Sequence, residues 1–195
     1  KVKHLYLGIE SGLDDVLKFM KKDHDLAQAY QAIDRLHEAG LIYDAHIMTG
    51  VAGKGRGMEN AEALAQFLNR TNPAHVVNFS MFLHKEVPLY QDIRQGTFVP
   101  ADELETIREE YHLIERIAPE KAGVNILYDG FHDFIHVRVR GHLPGDKEKM
   151  LAKLNGIIQE YEGKEPVYSF VQGECPDLEY CDDGKAVWDM DRKTS

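Results

Sequence analysis

KHLYLGIESG, residues 3–12, decides how the chain is read. An apolar run of β-forming residues ends in a glycine, a carboxylate, a serine and a second glycine. A buried strand needs only one turn residue to stop. Glu10 and Ser11 at such a tip therefore point to a ligand, provided the strand belongs to a sheet whose strand ends form a site.

The rest of the sequence supplies that sheet. After the strand over 4–9, apolar residues at helical spacing (Leu26, Ala29, Tyr30, Ile33, Leu36) predict a helix over 23–40 that stops at Gly40. A second strand is expected over 41–49, followed by the glycine-rich loop GVAGKGRG at 50–57 and a helix over 58–70 broken by Asn72-Pro73. A third strand over 75–83 precedes a helix over 100–117. Strand and helix alternate, which demands parallel strands joined by crossover helices. In such folds ligands sit at the carboxyl ends of the strands, where Glu10, Gly50 and Leu83 fall. Beyond Pro119, strands are expected over 123–128 and, from alternation, over 134–140, then a helix over 146–161 and an acidic tail. Two units follow: 1–118, carrying the alternating pattern, and 119–195, a partly helical extension.

Composition narrows the function. The 195 residues are 43% hydrophobic, enough for a sizeable core, and no run reaches the length of a membrane helix. The net charge of −10 makes nucleic acid an unlikely partner, because such a surface repels phosphate backbones. Cys175 and Cys181 are too few for a disulfide framework and fit reduced thiols in a cytoplasm. Beginning at Lys1 with no signal peptide, the chain is expected to be a piece of a longer protein.

Four stretches, in order and on the expected elements, carry a family resemblance over roughly residues 4–155. GIESGLDDVLKFMKKDHD resembles the fourth strand and following helix of radical S-adenosylmethionine (SAM) enzymes. HIMTGVAGKG is similar to their fifth strand and glycine loop, and NFSMFLHKEVPLYQDIRQGTF to their sixth strand. HDFIHVRVRGHLPGDKEKML resembles a segment of Fe–S oxidoreductases related to oxygen-independent coproporphyrinogen oxidase. The resemblance implies an α/β fold: the C-terminal part of a partial (β/α)6 TIM-like barrel, family strands four to six with crossover helices, plus a C-terminal extension. It implies an oxidoreductase that uses SAM and a [4Fe–4S] cluster to abstract hydrogen from a substrate that is a small molecule or unknown. The cluster loop C-x-x-x-C-x-x-C is absent from this sequence, so its thiolates are expected upstream, in the missing half of the barrel. This piece alone is expected to be inactive and to hold no cofactor.

The resemblance places Glu10 beside the ribose hydroxyls or ammonium of SAM, with Ser11 next to it and Lys22 near its carboxylate. Taken by itself, Ser11 or Asp14 could instead cap a helix, and Lys22 could be a solvated helix end. His46 stands where the coproporphyrinogen oxidases are expected to have an aspartate for the ribose, and it could equally be a packed core residue. Gly50 opens the loop expected near the adenine, or a plain flexible turn. His132 is expected on the substrate side. The pair His132 and His136, with Asp133 or His142, leaves a metal-dependent hydrolase as an alternative. A non-catalytic α/β interaction module is the other. Finally, residues 4–9 would form a bare strand edge once separated from their neighbour, which favours self-association.

Overall fold

The structure, a computed structural model, describes residues 2–170 and the backbone of two short strands, Cys181–Asp182 and Lys185–Ala186. One sheet organises residues 2–170, with strands in the order β1 (His4–Glu10), β2 (Ile42–Thr49), β3 (His75–Ser80), β4 (Ile126–His132) and β5 (Val137–Leu143). The first four are parallel, and β5 returns antiparallel to β4 as a hairpin. The helices are α1 (Asp14–Phe19), α2 (Leu26–Glu38), α3 (Gly57–Thr71), α4 (Pro88–Arg94), α5 (Glu103–Arg116) and α6 (Lys147–Tyr161).

Local chemistry fixes the ends of these elements. A reciprocal capping box starts α2: the Asp25 carboxylate accepts from the Gln28 amide N–H and the Gln28 side chain from the Asp25 N–H. Gly40, in the left-handed region, follows its end as expected. In α5 the Asp102 carboxylate caps the Glu105 N–H.

All four long helices lie on one side of the sheet. Alternate strand residues (Tyr43, Ala45, Ile47, Val76, Ile126, Tyr128, Val139) point there and join Leu64, Phe67, Leu68, Ile107, Leu113, Ile114 and Leu154 in a single core. Among the described residues the other side carries no helix. A sheet with helices on one face and a free concave face is part of a TIM-like barrel, as the alternation of elements implies. The sheet runs on through residue 118, because β4 pairs with β3. The division expected at 118 therefore falls between α5 and β4 of one layer. The segment over 134–140 forms part of the β4–β5 turn and the first half of β5 rather than a strand throughout.

Candidate functional site

The helix-free face is ordered in rows by the strand register. One row runs Tyr6, Asp44, His75, Leu127, His142; the next Gly8, His46, Val77, Asp129, Arg140; the third Met48, Phe79, Phe131, Arg138. Rings on neighbouring strands touch across it. His46 meets Tyr6 at 5.9 Å and Phe79 at 5.4 Å, both edge-on, and Phe79 stacks on Phe131 at 5.3 Å. Tyr6 reaches over β2 to His75, whose Nδ1 lies 3.1 Å from the Tyr6 hydroxyl. Burial lowers the His75 pKa below its ordinary value despite nearby Asp44 and Asp129, so the ring is neutral at pH 7. Asp44 Oδ1 and His75 Nε2 are buried without a hydrogen-bond partner, both on this face.

At the strand ends, Glu10 takes left-handed backbone (φ 63°) at a bulge in the β1–β2 pairing. That conformation folds its carboxylate back over Gly8, where a Cβ would meet Oε1 at 2.6 Å. The carboxylate thus lies on the helix-free face, paired with Lys22 Nζ at 2.9 Å. Ser11, fully buried, behaves differently. Its hydroxyl donates to Asn60 Oδ1 (2.7 Å) and accepts the Leu13 N–H, which makes it part of the turn. Asn60 in turn donates to Glu109, which also accepts the Gly50 N–H at 2.8 Å. Ser11 and Gly50 are therefore joined through Asn60 and Glu109 on the helix side, where they tie the tip of β1 to the tip of β2. The following loop leans on residues 97–99: Lys54 N–H donates to the Val99 carbonyl, and Gly53 has no room for a side chain beside it. Between this loop and α1 lies a cavity of about 380 Å³, lined by Val16, Phe19, Val51, Ala52, Phe98 and Val99, with Asp15, Lys54 and Arg56 also on its wall.

His132, expected on the substrate side, points to the helices instead. It is fully buried, with Nδ1 3.1 Å from Glu103 and Nε2 3.0 Å from Glu110. Strand alternation decides this: counted from Tyr128, the even positions of β4 face α5. Burial works against the imidazolium, but Glu110 and Glu103 outweigh it and push His132 up to about 10. Around it Glu110 accepts from Asn78 and Tyr128, and Glu103 from Ser80 and Ser169. Burial pushes Glu109 up to about 8, against the N–H bonds from Asn60 and Gly50. The hydrolase alternative fails on the same geometry. His136 sits in the β4–β5 turn at φ 53° while His132 is in the core, and no three ligands converge among the described residues. His142 is held by Asn125. Cys175 lies outside the described residues, and only the backbone of Cys181 is placed.

The buried glutamates of α5 were not foreseen, nor were Asp44, Asp129, Arg138 and Arg140 of the open face. GHLPGDK at 141–147, within the fourth family-like stretch, proves to be a structural turn: the Asp146 carboxylate accepts the His142 N–H, and Gly141 is pressed against Met150 and Asp146.

The fold and its free concave face define a class, part of an α/β barrel with strand ends open on one side. Among solved structures the chain is similar to the archaeal Methanocaldococcus infernus Elp3 with an N-terminus deletion (1–46). The TM-score is 0.58 at 19% identity, covering 81% of this chain and 36% of that one. At that identity the likeness shows the fold. No family model matches the sequence, and no curated protein matches it.

Proposed function

We propose that this chain forms the SAM-holding and substrate side of a radical SAM barrel, an oxidoreductase in its complete form. Two things support the reading: the similarity to Elp3, a member of the radical SAM superfamily, and the Glu10–Lys22 pair at the tip of β1. The pair is the observation that carries it. A carboxylate and an ammonium side by side on the open face complement the ammonium, carboxylate and ribose hydroxyls of SAM through charge-assisted bonds. Glu10 accepts from the ligand's ammonium or hydroxyls, and Lys22 donates to its carboxylate. His46 supplies ring surface between them and Phe79. Ser11 and Gly50 act through Asn60 and Glu109, as positioning residues for the two strand tips.

The cluster is a different matter. With Cys175 and Cys181 as its only cysteines, the chain has no three-thiolate set, so the iron ligands come from outside this sequence. When bound, SAM with its cluster supplies a carbon radical for hydrogen abstraction, and the chain's residues bind and orient. The chain spans 36% of the Elp3 structure it resembles, so partners and substrate belong to the proposal. We place the protein in the cytoplasm, with an upstream half of the barrel as neighbour to β1. The finer relation to coproporphyrinogen oxidases rests on sequence motifs alone.

Calorimetric titration of the full-length protein with SAM tests the reading. Glu10→Ala should weaken SAM binding by about tenfold or more, since a bond to a charged group is worth ~1.5–3 kcal/mol. Ser11→Ala should lower stability while leaving affinity nearly intact. Equal effects of the two substitutions on affinity would remove the support for Glu10 as a ligand.

A further inference from the structure

Resting on the reading above, the open face goes further and names a substrate class: we propose that it binds a flat apolar or aromatic molecule carrying one anionic group, held by Arg140 with Arg138. Both arginines stand on β5 beside Asp129, on the helix-free face. Arg138 takes that carboxylate bidentately, Nε at 2.8 Å and the terminal nitrogen at 2.7 Å. Arg140 approaches the same carboxylate only to 3.6 Å, beyond hydrogen-bond distance. Asp129 is ionised, its pKa lowered first by the Arg138 hydrogen bond. Two guanidiniums thus share one carboxylate, which leaves a local positive charge around Asp129 and an uncommitted donor fork, while Asp44 of the same face stands on β2, away from β5. A guanidinium fork matches carboxylate and phosphate geometry.

The neighbouring surface defines the body of the ligand. Arg138 lies over the Phe131 ring at 4.7 Å, and Phe131 stacks on Phe79 with 17° between planes. Met48 continues the same row. From Met48 to Arg138 the row crosses three strand spacings, about 14 Å, wide enough for a fused-ring body. Both rings are only half-buried, and no helix among the described residues covers them. His75, neutral at pH 7, adds no charge to compete for the anion. Arg138 and Phe79 take the two faces of the Phe131 ring, so the rings turn their edges to the open face, and a flat body lying edge-to-face across Phe131 and Phe79 with its anion on Arg140 uses the charge and the shape of the face together.

Titration of the full-length protein with 1-naphthyl phosphate, 1-naphthoate, 1-naphthol and inorganic phosphate tests this. One of the two naphthyl anions should bind at least about tenfold tighter than naphthol and than inorganic phosphate, with affinity falling as salt rises. Comparing the two anions separates phosphate from carboxylate recognition. Arg140→Gln should lose about tenfold of that affinity and Arg140→Lys less, because charge survives without the fork. Arg140 is half exposed, so both variants should fold, which circular dichroism checks. Naphthol binding as tightly as the anions, or Arg140→Gln binding unchanged, overturns the inference. SAM bound in a parallel titration while neither naphthyl anion binds defeats the substrate class and leaves the radical SAM reading standing. Arg140-dependent anion binding without SAM binding supports the anion site and removes that reading.

Discussion

Replacing His132 by leucine should remove both a fully buried pairing with two glutamates and a segment of the pH dependence of stability. His132 is fully buried between Glu103 and Glu110, so its loss leaves two core carboxylates without their cation. Breaking a buried pair in this way costs ~3–5 kcal/mol. Linkage gives the same order independently. The imidazole goes from its ordinary value of 6.5 to about 10 on folding, and ~1.4 kcal/mol per pH unit makes that about 5 kcal/mol. Because the folded value is raised, this stabilisation is fully present below pH 6.5 and is lost as pH rises toward 10. Glu109, raised to about 8, also binds its proton more tightly when folded, so it too makes stability fall as pH rises, from its ordinary 4.5 to about 8. Between pH 6.5 and 8 the two add to about 3 kcal/mol per pH unit at most, and above 8 only the His132 share, ~1.4 per unit, remains. Urea unfolding followed by circular dichroism at several pH values between 6 and 10 reads both quantities. The variant should be less stable by ~3–5 kcal/mol at pH 6 and nearly flat between pH 8 and 10. A wild-type curve flat over that window, or a cost below ~1 kcal/mol at pH 6, would refute the account of the cluster.

Other substitutions test the strand tips and the sheet edge. Glu10→Gly should stabilise the fold by ~1 kcal/mol, because left-handed backbone costs a non-glycine residue ~1–2, while SAM affinity drops; thermal unfolding paired with calorimetry reads both. Gly12→Ala should destabilise by ~1–3 kcal/mol or more, since its Cβ would meet the Ala63 and Leu64 backbone at 2.5 Å; a thermal scan matching wild type would contradict that packing. The outer edge of β1 has no pairing partner among the described residues, and Tyr6 is 59% exposed. Light scattering of the isolated chain should therefore show self-association, weakened about tenfold by Tyr6→Lys; a clean monomer would mean the edge is tolerated bare.

Much of this was legible in the sequence, and for identifiable reasons. The tips of β1 and β2 were announced by glycines, α2 and α3 by helical period with their stop residues, and α5 and α6 were expected without a named stop. Helix α4 was not, because seven residues starting at Pro88 are too short to show a period. Strand β4 was expected to end at Tyr128, yet it runs on through Asp129-Gly130 to His132. Here the glycine is a packing requirement: a Cβ on Gly130 would sit 1.8 Å from Glu110 Oε1. The same glutamate shows why the core cluster was invisible. Charged residues at helical spacing ordinarily mark a solvated face, and Glu103, Glu109 and Glu110 are buried only because His132, Asn60, Asn78 and Ser80 arrive from distant strands and helices to bond them. Ser11 was read as a ligand residue for a related reason, because Asn60, its partner, lies 49 residues away.

Hydrogen exchange of the full-length protein, with and without SAM, bears most directly on the proposed site. The account predicts slowed exchange in the peptides spanning Glu10–Gly12 and Gly50–Gly53, with smaller change in α6 on the opposite side of the sheet. Unchanged exchange at both strand tips, or protection confined to the helix layer, would contradict it.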